Sequence, residues 1–348
     1  MYLLIIFINL LNIIESYYTH NGIIRRKLVA GPLYEQPRWN LLEKSLKSKA
    51  RNWFLNRAEK RGIRWNETYN YYLNNSNKLL YWKVKVSNMS FEYPSYYIKP
   101  FHGYDQGNMN WNAAYEGEAA TLSMSANYWK DVNPSLSEKW VRFNITSKTD
   151  NYRNRNICQN ELGLDERYLS FFDKSKPIIT DKILDIGCSF GIGTEFLKKS
   201  YPNALITGID LSPYFLAIAS FRNNITNGDI KYIHANAENM PFEVNSYDQV
   251  FIQYLFHEMP SRIIENVINE AYRILKPGGV ISIVDLNPTN LNENLSINIF
   301  RKWAFEVTEP HIFDYYKTNI TQLMSNINFR NIAKTPNDPI NIIYFGQK

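Results

Sequence analysis

Beyond residue 177 the chain alternates short apolar runs with stretches whose apolar residues recur at helical spacing. The runs are Lys182–Ile186, Leu205–Ile209, Ile230–His234, Gln249–Leu255 and Gly279–Val284, and two more, Phe329–Lys334 and Ile340–Gly346, close the chain. Short apolar runs that alternate with helix-length segments are the pattern of βα units on a parallel sheet. They predict an α/β fold, a doubly wound, seven-stranded Rossmann-like sheet. No internal repeat is visible.

Upstream the pattern is different. "LLYWKVKV", Leu79 to Val86, alternates as a strand does. Tyr93 to Trp129 begins as an aromatic loop interrupted by Pro94 and Pro100, and alanines 113, 114, 119 and 120 predict a helix from about Met109. A further helix is expected over Asp165–Phe172. The first 14 residues, "MYLLIIFINLLNII", are apolar but short of the ~20 residues a membrane span needs. The organisation predicted is a leader and basic transit-like segment over 1–64, a mainly helical N-terminal extension and lid over 65–176, and a core domain over 177–348.

Charge sharpens this division. The net charge is +6, and it is concentrated between His20 and Asn66, where Lys and Arg greatly outnumber Glu35, Glu43 and Glu59. The rest is nearly neutral, without the basic stripe that nucleic-acid binding requires. An apolar leader followed by a basic, acid-poor segment resembles the bipartite leader of proteins sent through the secretory pathway into a secondary plastid of the apicoplast type. A signal anchor in the endoplasmic reticulum membrane, with a solvated basic helix behind it, is the alternative. The two cysteines, Cys158 and Cys188, lie in no CxxC pair and near no second ligand, so neither a structural disulfide nor a metal site is expected.

The chemistry sits where the first run ends, in "KILDIGCSFGIGTEFLKK". A dinucleotide turn requires G-x-G-x-x-G, its second glycine admitting the pyrophosphate to the backbone. Here Gly187 and Gly191 flank Ser189 at the middle position, and Asp185 would set negative charge beside a pyrophosphate. A cofactor with a cationic end reverses that electrostatic argument. The loop resembles motif I of class I S-adenosylmethionine-dependent methyltransferases, D/E-x-G-x-G-x-G, departing from it at Ser189. Three later segments resemble the same family in order: "ITGIDLSPYFLAIA", "HANAENMPF", and "SYDQVFIQYLFHEMP" with "AYRILKPGGVISIVD". The resemblance implies a last strand running antiparallel and S-adenosylmethionine held by Asp185, Gly187, Cys188, Ser189, Gly191, Asp210, Leu211, Asn236, Ala237 and Gln253. Asp210 would accept from the ribose hydroxyls, Leu211 would flank the adenine, and Asn236 and Ala237 would meet the adenine edge.

Within that superfamily the chain looks most like the methyltransferase type 11, or UbiE/COQ5-like, group. It is similar to plant plastid members in "YYIKPFHGYDQGNMNWNAAYEGEAA" and "TEPHIFDYY". Methyl transfer needs alignment and desolvation, and a base only where the acceptor must lose a proton. The candidate base is His257, just past the fourth strand. Asp105 and Glu116 are further candidates from the upstream segment, and Tyr97, His102, Tyr104, Trp111 and His311 are expected to line the substrate pocket. The reading is methyl transfer to a small, apolar or aromatic acceptor such as a quinone or lipid in an organelle. An NAD(P)-dependent oxidoreductase and a non-catalytic binding module on the same fold are the alternatives.

Overall fold

A computed structural model describes residues 55–99, 104, 106–126, 128–129, 132–155, 181–289 and 309–348. The leader to residue 54 and the helix expected over Asp165–Phe172 lie outside them. Seven strands form one sheet: β1 Lys182–Ile186, β2 Leu205–Asp210, β3 Lys231–His234, β4 Tyr247–Gln253, β5 Leu275–Leu286, β6 Arg330–Pro336 and β7 Asn341–Gln347. Their order is β3-β2-β1-β4-β5-β7-β6. β1 pairs in parallel with β2 on one side and β4 on the other, which makes it the strand where the winding reverses. β7 runs antiparallel to both β5 and β6. β4 stops at Gln253, short of the expected Leu255, because Tyr254 turns to φ 57° and leaves the strand.

Side-chain alternation divides the core between the two faces of the sheet. Leu184, Ile186, Val250, Ile252, Ile281 and Ile283 pack on one side with Ile264, Val267, Ile268, Ala271 and Ile274. The last five share one stripe of α7, Ser261–Ile274. Ile183, Phe251, Val280, Val284, Ile343 and Phe345 face the other way, against Leu197 of α5, Ile192–Ser200, and against Val141, Ile145 and Tyr152. Those last three belong to α4, Pro134–Arg155, an amphipathic segment that precedes the first strand by sequence yet covers the sheet. The Tyr152 ring stacks on Phe345 at 4.9 Å, and the buried hydroxyls of Thr149 and Ser282 hydrogen-bond at 2.9 Å.

The expected strand at Leu79–Val86 is instead part of a helix, α2, Ser76–Val86, which follows α1, Trp65–Asn74. The alternation misled because Lys83 and Lys85 are not strand-face residues. Leu79, fully buried, faces α6, Pro213–Ile225, in a cluster with Phe215 and Phe221, and Lys83 lies 4.5 Å over the Tyr214 ring. Leu79, Trp82 and Val86 therefore follow the 3.6-residue period. The helix predicted from about Met109 is α3, Trp111–Ser125, capped by the Asn110 side chain accepting from Ala113 N at 2.9 Å. It presses on the core at Gly117, where a Cβ would lie 2.3 Å from the Phe190 ring.

That approach yields a prediction. Gly117→Ala should destabilise the protein by about 1–3 kcal/mol, the usual cost of overpacking, and should weaken cofactor binding, because Phe190 belongs to the glycine loop. Paired thermal unfolding and calorimetric titration of the variant check both effects.

Candidate active site

A cavity of about 680 Å³ opens at the carboxyl ends of β1, β2 and β4, where a doubly wound sheet holds its ligands. Its floor is the loop after β1. Gly187 there has φ 72° and Gly191, the cap of α5, has φ 85°. Gly187 also lies against Leu255, whose methyl carbons would be 2.9 Å from a Cβ. Ser189, which stands where the family pattern has a glycine, takes the same left-handed region at φ 50°. Its N–H donates to Asp210 Oδ2 at 2.9 Å, and this bond helps hold a conformation that disfavours side chains by ~1–2 kcal/mol.

Asp210 ends β2 and carries a second load. Its Oδ1 accepts from Ser212 N at 2.7 Å, so one carboxylate joins two loops. Burial pushes it up to about 6, although the backbone N–H donors of Ser212 and Ser189 pull the other way. Ser212 in turn caps α6, accepting from Phe215 N, and donates its hydroxyl to the Asn108 carbonyl at 2.8 Å. Asp185 is buried at the end of β1, with Oδ2 accepting from Thr194 at 2.7 Å and Oδ1 from Gln253 Nε2 at 3.0 Å. Gln253 accepts from Arg142 Nη1 at 2.6 Å, and Arg142 Nε donates to Glu138 at 2.9 Å.

The cavity lining brings together most of the predicted cofactor residues: Asp185, Gly187, Cys188, Ser189, Asp210, Leu211, Ala237 and Gln253. Cys188 is a free thiol that burial pushes well up, so it acts as a small apolar wall. Gly191 shapes the loop from outside the lining. Asn236 also lies outside it, and its side-chain carbonyl accepts from Glu238 N at 2.9 Å, closing a turn that presents Ala237. A short amide bonds readily to the backbone two residues on, which gives Asn236 this turn-forming role.

On the acceptor side the aromatic segment does line the cavity, through Tyr96, Tyr97 and Tyr104. Tyr104 donates to Glu116, which α3 buries in the same wall. Trp111 does not line it. Its ring stacks on Tyr115 at 5.5 Å and meets Tyr214 edge-on at 5.0 Å, which braces α3 against α6. His311 also stands back from the wall, edge-on to Tyr96 at 6.3 Å. His102 and Asp105 lie outside the described residues.

His257 does reach the cavity, held in a short 3-10 turn, Phe256–Glu258, at 3% exposure. Its Nδ1 hydrogen-bonds Asp285 Oδ1 at 2.7 Å. Asp285 Oδ2 accepts from the N–H groups of Phe256 and His257, fixing the turn to the end of β5. The ring thereby presents Nε2, 4.0 Å from Glu258 Oε1. Burial lowers the imidazole, and Asp285 with Glu258 more than offset it, so it is raised overall. Glu258 itself is pushed up to about 7, by burial first, with His257 opposing and Asp210 reinforcing. Asn108 Nδ2 approaches its Oε2 at 3.4 Å.

Four of these residues were missed by reading the sequence: Glu258, Asp285, Arg142 and Asn108. Glu258 adjoins His257 in "FHEMP" and so was open to the same reasoning. Arg142 comes from a segment without a motif and Asn108 from the aromatic segment upstream, and only packing brings them to the strand ends. Among the described residues no group of three or more His, Cys, Asp or Glu is placed to hold a metal ion.

With this geometry in view, the sheet order and its antiparallel seventh strand define the Rossmann-like methyltransferase fold. Residues 183–279 match a family described as a methyltransferase domain. The chain is 34% identical over 110 residues to an uncharacterized methyltransferase of Synechocystis, covering 31% of this chain and 49% of that protein. It is 31% identical over 113 residues to the demethylmenaquinone methyltransferase of Listeria monocytogenes, covering 31% and 46%. A match of 30% over 109 residues, covering 31% and 39%, joins it to a phthiotriol/phenolphthiotriol dimycocerosates methyltransferase of Mycobacterium leprae. The chain thus spans less than half the length of these curated relatives. A solved S-adenosylmethionine-dependent methyltransferase of Methanosarcina mazei aligns at 19% identity and a TM-score of 0.40, covering 54% of this chain and 99% of that one.

Asp210 is the position at which to test the cofactor side. Asp210→Asn keeps one acceptor oxygen for the loops and removes the charge. It should weaken S-adenosylmethionine binding by roughly 1.5–3 kcal/mol, the range for hydrogen bonds to a charged group, as read by calorimetry. In the parent protein the affinity should rise with pH through about 6, as Asp210 ionises, and this dependence should vanish in the variant.

Proposed function

We propose that this protein is an S-adenosylmethionine-dependent methyltransferase that acts on a small, apolar or aromatic acceptor. The observation that carries the reading is the charge of the cavity wall. Five acids, Glu116, Glu138, Asp185, Asp210 and Glu258, line it against two basic side chains, Arg142, paired with Glu138, and His257, paired with Asp285. Such a wall suits a ligand with cationic groups and opposes a pyrophosphate, so the oxidoreductase alternative loses its electrostatic basis. S-adenosylmethionine supplies a methyl group already activated on a sulfonium.

The residues of the chain do the rest. The loop from Gly187 to Gly191 and the carboxylate of Asp210 would seat the nucleoside, with Leu211 and Ala237 as its apolar walls. The Asp185–Gln253–Arg142 chain would orient the amino-acid end, which carries both an ammonium and a carboxylate. Tyr96, Tyr97 and Tyr104 would exclude water from the transfer. Glu258 is the group placed to take a proton from an acceptor O–H, N–H or activated C–H, with His257, itself held by Asp285, stabilising its charge. The relatives named for demethylmenaquinone and for phthiotriol dimycocerosates support a quinone or lipid as acceptor. Delivery to a plastid-type organelle through residues 1–64 is the reading that their composition supports.

The experiment is to incubate the full chain with methyl-labelled S-adenosylmethionine and a lipid and quinone extract, and with NADH in parallel. Retention of the first ligand and labelling of an apolar product are expected. Retention of NADH alone would overturn the reading, and binding without labelling would favour the non-catalytic module. Turnover should rise with pH through about 7 as Glu258 ionises. Glu258→Gln should lower the rate by about a hundredfold or more and remove that limb, with cofactor affinity retained. Stability supplies an independent check. An acid raised from 4.5 to about 7 favours the folded state at low pH and loses that contribution as pH rises between those values. Glu258→Gln should therefore match the parent below pH 4.5 and exceed it in unfolding temperature above pH 7.

A further inference from the structure

The outward face of α2 reverses the usual arrangement of a surface helix. Leu79 faces the protein, whereas Leu80, Tyr81 and Val84, at spacings of one and four residues, are 52%, 56% and 67% exposed. Met89, just past the end of the helix, is 91% exposed. A single exposed apolar side chain needs no explanation, but a helix whose solvent face is apolar does. Lys78 and Lys85 are exposed along one edge of this face, and α2 contains no acid. Lys85 Nζ lies over the Tyr81 ring at 5.2 Å and over Trp82 at 5.3 Å, so its charge sits at the rim of the aromatic surface.

We propose that this face of α2 docks the protein on an anionic lipid bilayer, with Leu80, Tyr81, Val84 and Met89 entering the headgroup boundary and Lys78 and Lys85 facing acidic headgroups. An interfacial helix has this composition: aliphatic and aromatic residues on the buried side, lysines at the rim. A second copy of the chain is a poorer occupant, since a twofold contact would bring the same lysine edge of both copies together. The position also has a consequence for access. From Met89 the chain runs through Phe91, Tyr93 and Tyr97, whose rings follow one another at 5.1 and 6.4 Å, and Tyr97 is in the cavity wall. An apolar compound held in a bilayer under α2 would meet an aromatic path to the site. The docking itself does not depend on the reaction proposed above.

The test is co-sedimentation of the full-length protein with vesicles of phosphatidylcholine, alone or with roughly a third phosphatidylglycerol. Binding is expected to the mixed vesicles and to be several-fold weaker without the anionic lipid. In the full chain, Leu80→Glu with Val84→Glu should lower the partition coefficient by about tenfold or more. Lys78→Glu with Lys85→Glu should erase the preference for phosphatidylglycerol. All four side chains are exposed, so unchanged circular dichroism and unfolding temperature show that the fold is intact. Equal partition of the parent and the double glutamate variant would overturn the proposal, since another segment would then hold the vesicle. Failure of the parent to sediment would also overturn it. A lipid-independent dimer in sedimentation velocity, abolished by Val84→Glu, would make a second copy the occupant.

Discussion

A single half-buried carboxylate joins the parts of this molecule that must stay in register. Asp210 receives the N–H of Ser189 from the loop after β1 and that of Ser212 from the loop after its own strand. The hydroxyl of Ser212 then receives Phe215 N and reaches the Asn108 carbonyl, so the N-terminal extension is tied to the same point. The arrangement has a cost. The carboxylate is partly withdrawn from water without a basic partner among its principal interactions, and its ionisation is correspondingly resisted. That cost leaves an acid at the cavity wall where a hydroxyl-bearing or cationic ligand can relieve it.

The same tension recurs along the wall. Asp185 is buried and raised by its burial, held ionisable by Thr194, Gln253 and Arg142. Glu258 is raised further. Acids whose protonation is poised near neutrality inside a cavity are expensive as structure and useful as chemistry. His257 lies beside Glu258 and opposes the rise in its pKa, while Asp285 holds the imidazole and the backbone of the 3-10 turn.

The N-terminal extension shows how chain order and spatial order separate. α4 covers the sheet face opposite α7, α3 wedges Gly117 against Phe190, and α1 and α2 lie on α6. The core strands present an unfinished surface at both the sheet face and the ligand edge, and the extension fills both. Its aromatic residues divide accordingly: Tyr96, Tyr97 and Tyr104 face the cavity, while Trp111 and Tyr115 hold the helices together.

The sequence by itself determined the seven strands of a doubly wound sheet, the glycine loop and the acid at the end of the second strand. Each of these is a local property: an apolar run bounded by turns, a glycine required by φ, a carboxylate at a strand end. One reading failed: "LLYWKVKV" alternates on paper, but lysine stems can lie along a helix flank, so period alone did not separate strand from helix. What only the tertiary structure decided is which residues from distant segments meet at the site. Arg142, Asn108 and Asp285 are brought to Gln253, Glu258 and His257 by the packing of α4, by the Ser212 bond and by the pairing of β4 with β5. Contacts between residues so far apart in the chain leave no periodic trace in it, because nothing local in their own segments requires them.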